Sequence, residues 1–170
     1  MSKKPTMTKK IIILLVICIT YSCDNGRKTT PTDNIDLTEL QKQSDIDSVK
    51  SLISDSFQDI FSDLDSTKVS DYYTTDFILL ENGVVWNIDS IDSYIIRRQA
   101  NRQNYRRLNR FDFLKSVHNK NTIWIAYDNY ADFVKDNDTL RSAHWLESAI
   151  AVKENNQWKL QQLHSTVVRK

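Results

Sequence analysis

Phe77-Ile78-Leu79-Leu80-Glu81-Asn82-Gly83-Val84-Val85-Trp86 is an apolar run broken once, by Asn-Gly. That dipeptide tolerates the positive backbone angles of a two-residue turn, so the stretch predicts a short β-hairpin. Ahead of it the apolar period is helical. Over residues 44–65, Ile46, Val49, Leu52, Ile53, Phe57, Ile60, Phe61 and Leu64 recur at threes and fours. This predicts a long amphipathic helix, capped by Ser44, with its aspartates on a solvated face. Residues 67–73 read as a second, shorter helix that carries Val69, Tyr72 and Tyr73 to the same core.

Behind the hairpin, residues 88–99 return to helical spacing through Ile91, Tyr94 and Ile95, with Asn87 or Asp89 as the cap. Four long strands follow, over 105–118, 122–135, 139–153 and 157–168. They are joined by Asn119-Lys120-Asn121, Asn137-Asp138 and Asn155-Asn156, where asparagine does the turn work that glycine does elsewhere. Consecutive strands with short polar turns imply an α+β fold in which a strongly twisted antiparallel sheet packs on three N-terminal helices.

The first 23 residues are a separate matter. Lys3, Lys4, Lys9 and Lys10 precede an apolar run from Ile11 to Ile19, which ends in Thr20-Tyr21-Ser22-Cys23. A basic start, an apolar segment too short to span a bilayer and a small residue before a cysteine form a bacterial lipoprotein export signal. Residues 1–22 are then the signal peptide, and Cys23 is the lipidated residue that anchors the chain at the cell envelope. Residues 24–43 are polar, carry Gly26 and Pro31, and read as a flexible tether; residues 44–170 form one domain. Cys18 and Cys23 are the only cysteines, so the domain has no disulfide and depends on its core. Removing the first 22 residues takes four lysines and no acid from the chain, and the formal charge moves from +1 to −3. A mildly acidic exported domain has no global attraction for nucleic acid.

The order of elements, together with Asp76-Phe77-Ile78-Leu79-Leu80-Glu81-Asn82-Gly83 and the closing Gln157-Trp158-Lys159-Leu160-Gln161-Gln162-Leu163-His164-Ser165-Thr166, resembles the nuclear transport factor 2-like superfamily, with its SnoaL-like and ketosteroid-isomerase-like domains. The resemblance spans about residues 44–168. It implies a cone-shaped, cystatin-like roll with a pocket between sheet and helices, and a homodimer formed through the sheet. The superfold hosts isomerases, dehydratases and binding modules alike, so function has to be argued from the site.

Strand alternation sorts the candidates. Arg141, Ala143, Trp145, Glu147 and Ala149 share one face, and Trp158, Leu160, Gln162 and His164 go together on the last strand. If both sets face inward, Glu147 and His164 form an ionisable pair for proton transfer near neutral pH, beside an aromatic wall with Gln162. Tyr72, Trp86 and Tyr94 come from the roof of the cone and are candidate ligand contacts. Each of these residues also has a plain structural role open to it, as core packing or as a satisfied polar group. The ketosteroid-isomerase-like relatives use a carboxylate near the end of the first strand. By position that residue is Glu81 or Asp76, with Glu81 expected at the exposed mouth of the hairpin turn.

No metal or cofactor is called for. His118, His144 and His164 sit on three strands without a close-spaced pair, and Gly83 is the only glycine after the tether, so no glycine-rich nucleotide loop exists. Arg97, Arg98, Arg102, Arg106, Arg107 and Arg110 cluster within a short stretch and suggest an anionic surface or ligand as partner. The leading reading is an envelope lipoprotein that binds a small apolar or amphipathic ligand, or a protein partner, without catalysis. The alternatives are a cofactor-independent isomerase, dehydratase or hydrolase using Glu147 and His164, and a purely structural interaction domain.

Overall fold

The computed structural model describes residues 38–101 and 104–169. The export segment, Cys23, most of the tether and Arg102 lie outside the described residues. The first helix, α1 (Glu39–Ser56), begins earlier than the apolar period, because Thr38 and not Ser44 caps it: the Thr38 hydroxyl accepts from the Gln41 backbone N–H at 3.2 Å. Its opening turns are held by local pairs, Lys42 to Glu39 at 2.7 Å and Gln43 to Asp47 at 2.9 Å, which need no apolar face. The helix thus takes in residues 39–43, which read as tether from the sequence alone. The helix then widens into π-turns over Phe57–Asp63 and stops at Leu64, whose left-handed φ of 62° leaves its side chain buried.

A single 3₁₀ turn capped by Asp65 leads into α2 (Val69–Tyr72) and strand β1 (Tyr73–Glu81). β2 (Val84–Trp86) completes the hairpin, with Asn82 at φ 48° and Gly83 at φ 86°. Both central residues therefore have the positive φ that a tight hairpin turn matching strand twist demands. α3 (Ile88–Ala100) starts on a capping box in which Asn87 Oδ1 accepts from the Ser90 backbone N–H at 3.0 Å. β3 (Arg106–Asn119), β4 (Thr122–Lys135), β5 (Asp138–Glu154) and β6 (Gln157–Val167) follow. Lys120, Asp136, Asn137, Asn155 and Asn156 take positive φ at their turns.

The strands form one sheet in the order β2-β1-β6-β5-β4-β3. The four long strands are antiparallel as expected, but β1 runs parallel to β6, so the sheet is mixed. Tight turns dictate direction only between consecutive strands. β1 is delivered by α2, and the chain leaves its hairpin through α3, which spans the way from one sheet edge to the other; the direction of β1 is set by helices. Val49, Ile53, Phe57 and Ile60 from the first helix, Ile91 and Ile95 from α3, and Phe77, Ile123, Ile125, Tyr127, Leu160 and Leu163 from the sheet form one buried cluster.

One irregularity decides which side chains reach that cluster. Ile150 pairs with Gln162, but the next residue, Ala151, pairs with Leu160, leaving Gln161 as an extra residue in β6. A β-bulge of this kind shifts side-chain parity by one position. Leu160 therefore faces inward on one side of the bulge, and Leu163 and Ser165 face inward on the other, all nearly inaccessible.

Candidate functional site

Between the first helix, α3 and the concave face of the sheet lie two adjoining chambers, each of about 210 Å³. Phe61, Tyr94, Arg107 and Trp145 line both. The first chamber is walled by Phe57, Leu79, Trp86 and Leu163, and it meets three polar side chains, Glu81, Glu147 and Ser165. Two of its aromatic walls, Phe57 and Phe61, come from the π-turns of the first helix. Irregular helical turns of this type are common at functional sites.

Glu147 is the most constrained of these groups. It is 6 % exposed, accepts from the Ser165 hydroxyl at 2.9 Å and from Asn129 Nδ2 at 3.2 Å, and is in no ion pair among the described residues. The fully buried Tyr127 phenol stands beside the same carboxyl outside hydrogen-bond geometry, and its hydroxyl has no partner. Burial pushes the Glu147 carboxyl up to about 7, against the opposing pull of Ser165, Asn129, Tyr127 and the Arg107 charge. Glu81 is raised as well, first by burial, although Ser165, Arg107 and His164 oppose the shift. Two carboxyls thus share one water-poor chamber, both inclined to hold their protons.

Arg107 crosses from one chamber to the other. Its guanidinium lies 5.1 Å from the Trp145 ring centroid, and its Nε donates to Asn109 Oδ1 at 2.8 Å. Desolvation pulls its pKa below the usual guanidinium value, with the neighbouring charge of Arg141 acting in the same direction.

The structure brings together four of the residues singled out from sequence, namely Trp86, Tyr94, Trp145 and Glu147. It does not bring His164 or Gln162 to them. The bulge at Gln161 turns both to the outer face, where His164 is exposed and pairs across the ladder with Ser148, so it cannot serve as the partner of Glu147. Tyr72 is likewise not part of the pocket wall: its hydroxyl donates to Asp59 Oδ2 at 2.5 Å, tying α2 to the end of the first helix. Glu81, expected at an exposed turn, lines the pocket instead. Asp76 remains on the surface, accepting from Thr74 at 2.7 Å and Gln161 at 3.0 Å.

The arginine cluster does not form one surface. Alternation along β3 turns Arg107 inward and leaves Arg106 and Arg110 exposed, and Arg110 is paired with Asp112 at 2.7 Å. Arg97 belongs to a shallow depression beside Trp86 and Asp89, whereas Arg98 reaches the second chamber. The same alternation, applied to Arg107-Leu108-Asn109-Arg110-Phe111, was the signal for an inward cation, since Phe111 packs against the core. Ser165, Asn129 and Tyr127 carried no comparable signal.

No family model and no curated protein matches the chain. Solved structures do. A hexachlorocyclohexane dehydrochlorinase, LinA-type3, from Novosphingobium barchaimii superposes with a TM-score of 0.62 at 10% identity, over 78% of this chain and 92% of that one. A ketosteroid isomerase-like protein from Erwinia carotovora atroseptica gives 0.56 at 11%, over 74% and 98%. An uncharacterized protein with a cystatin-like fold from Caulobacter vibrioides gives 0.53 at 13%, over 73% and 89%. At such identities the likeness is one of fold.

Proposed function

With the nuclear transport factor 2-like cone fold as premise, we propose that this domain binds a small amphipathic ligand in the pocket between sheet and helices. The observation that carries the reading is a buried carboxyl, Glu147, that lines a cavity with aromatic walls and is held there by neutral hydrogen bonds and by no ion pair among the described residues. A cavity that only needed filling would be lined by apolar groups; a polar group placed among convergent aromatics is what orients a ligand. The test uses benzamide, an uncharged aromatic probe. Of the four tryptophans, Trp86 and Trp145 line the pocket, while β4 turns Trp124 away from Ile123 and Ile125 to the opposite face. Benzamide is expected to quench the emission of the full chain and of Trp124→Phe, and to leave the Trp86→Phe/Trp145→Phe double variant without response. Quenching that persists in the double variant puts the probe elsewhere and ends this reading.

A second reading is favoured by one observation: the Glu147 carboxyl, at about 7, is poised to move a proton at neutral pH. Cofactor-independent isomerisation or elimination on the bound ligand would then rest on Glu147 with Glu81 and Arg107, without His164. The similarity of fold to a dehydrochlorinase and to a ketosteroid isomerase-like protein is consistent with such chemistry.

The basic start, the apolar run and Cys23 support a third element of the proposal, lipid anchoring of this pocket at a bacterial envelope. The wild-type chain expressed in a bacterium is expected to partition into the detergent phase on Triton X-114 separation, and Cys23→Ser into the aqueous phase. Equal partitioning of the two would remove the anchor.

A further inference from the structure

We propose that the second chamber is an anion site, so that the pocket's ligand carries a carboxylate or phosphate group on its apolar body. The inference rests on the reading of the pocket as a ligand site and specifies the chemistry of one end of that ligand. The lining of this chamber brings together three guanidinium groups and no carboxylate. Arg98 comes from the last turn of α3, Arg107 from β3 and Arg141 from β5, with Tyr105, Phe133 and Trp145 between them.

Arg98 and Arg141 have only neutral company, and Arg107, although it also feels Glu81 and Glu147 from the first chamber, makes its hydrogen bond to a neutral side chain. Arg98 donates to the Tyr105 hydroxyl, Arg107 to Asn109, and Arg141 lies 3.4 Å from the Phe133 ring centroid. Among the described residues the arginine ion pair is the exposed one, Arg110 with Asp112. A guanidinium carries five N–H donors in a planar fork, so one bond to a neutral oxygen, or a stacking contact, leaves most of them unused. Cations gathered in a partly dry chamber repel one another. The aromatic faces soften that repulsion, but they do not supply acceptor oxygens, whereas a bound oxyanion supplies two or three in the geometry the forks match.

The neighbouring chamber fixes the direction of binding. It shares Phe61, Tyr94, Arg107 and Trp145 with the anion chamber but carries Glu81 and Glu147 at its other side. An anionic head is drawn to Arg98, Arg107 and Arg141 and finds no second cation cluster beside the two carboxyls, while an apolar body fits against Trp86, Leu79 and Leu163. The pocket is therefore polar along its length, and a ligand charged at one end has one favourable orientation.

The experiment compares benzoate with benzamide, which differ in charge and hardly in shape. Tryptophan quenching and thermal melts are recorded on the full chain in nonionic detergent, at an ionic strength held constant with sodium chloride. Benzoate is expected to bind about tenfold more tightly than benzamide, the order of effect of one charge-assisted hydrogen-bonded contact. Arg98→Gln and Arg141→Gln are each expected to lose about that factor for benzoate and none for benzamide, with Arg141→Lys recovering part of it. Inorganic phosphate, added as competitor, separates the two head groups: displacement of benzoate extends the class to phosphates, and no displacement confines it to carboxylates, the anion site standing in both cases. Equal affinity for benzoate and benzamide overturns the anion site and leaves the ligand pocket intact. Binding of neither probe overturns both.

Discussion

Asp45→Ala is expected to lower the unfolding free energy by about 3 kcal/mol, the range found when one member of a buried charged network is removed. Asp45 is 5 % exposed although it belongs to a helix whose other acids face solvent. Its Oδ2 lies 3.2 Å from His118 Nε2, and its Oδ1 accepts from Gln41 at 3.2 Å and from Lys153 and Trp158 at 3.4 Å. One carboxylate thus pins the first helix to β3, β5 and β6 at the end of the sheet away from the pocket. Alanine removes the acceptor and leaves those donors facing a void, a larger loss than any one of the bonds. Asparagine keeps an acceptor oxygen without the charge and should fall between alanine and the wild type. Asp47→Ala on the exposed face is the control. Urea denaturation measures all three, and an Asp45→Ala midpoint equal to that of Asp47→Ala would show that the helix is held by its apolar side chains alone.

The same network has a pH signature. Burial alone would raise the pKa of Asp45, but the hydrogen bonds from His118, Gln41 and Trp158 and the charge of Lys153 reverse this, and the net value lies below the ordinary 3.8. A carboxyl lowered in the folded state contributes its stability above the unfolded value and loses it as pH falls through the folded one. In the wild type the clamp is intact above pH 3.8 and fails on further acidification.

The elements of this fold were legible because each is written in one local code. Apolar residues at threes and fours mark the helices, Asn82-Gly83 marks the hairpin, and asparagine pairs mark the turns between long strands. What escaped depends on relations between segments. Gln161 and Gln162 are the same residue type, and nothing local says that the first is extra in the ladder, yet that one insertion moved His164 out of the site and Ser165 into it. Asp45 reads as one more acid on a polar face until β3 and β6 bring His118 and Trp158 to it. Arg107 reads as one of six clustered arginines until β3 alternation and the aromatic walls separate it from Arg106 and Arg110. The parallel pairing of β1 with β6 was hidden for the same reason, since it is made between the two ends of the domain.

Glu147→Gln is expected to stabilise the protein at pH 8 by up to about 3 kcal/mol while removing the polar anchor of the pocket. The sign follows from the shift. Glu147 titrates at about 7 in the folded chain against an ordinary 4.5, because burial disfavours its charged form more than its hydrogen bonds and Arg107 favour it. A carboxyl raised in the folded state costs nothing below 4.5, where both states hold the proton. Between 4.5 and about 7 the unfolded chain releases that proton and the folded chain does not, so stability falls as pH rises, and above about 7 the deficit is constant. Glutamine has nearly the same shape, and with its one carbonyl oxygen accepting from Asn129 its amide N–H is taken up by the Ser165 hydroxyl, which rotates from donor to acceptor, so the deficit should vanish and the melting temperature should vary less between pH 5 and 8. Glu81, shifted in the same direction by burial, adds to the slope and is the reason some of it should remain. Near pH 4.5 Asp45 is charged and Glu147 still holds its proton, so the joint contribution of these two groups is greatest there. A neutral-pH protein that carries such a deficit in its pocket trades stability for a carboxyl ready to bind or to exchange a proton. Parallel pH profiles for the wild type and Glu147→Gln would mean that water reaches the carboxyl freely, and the case for a dry, ligand-orienting pocket would fall with it.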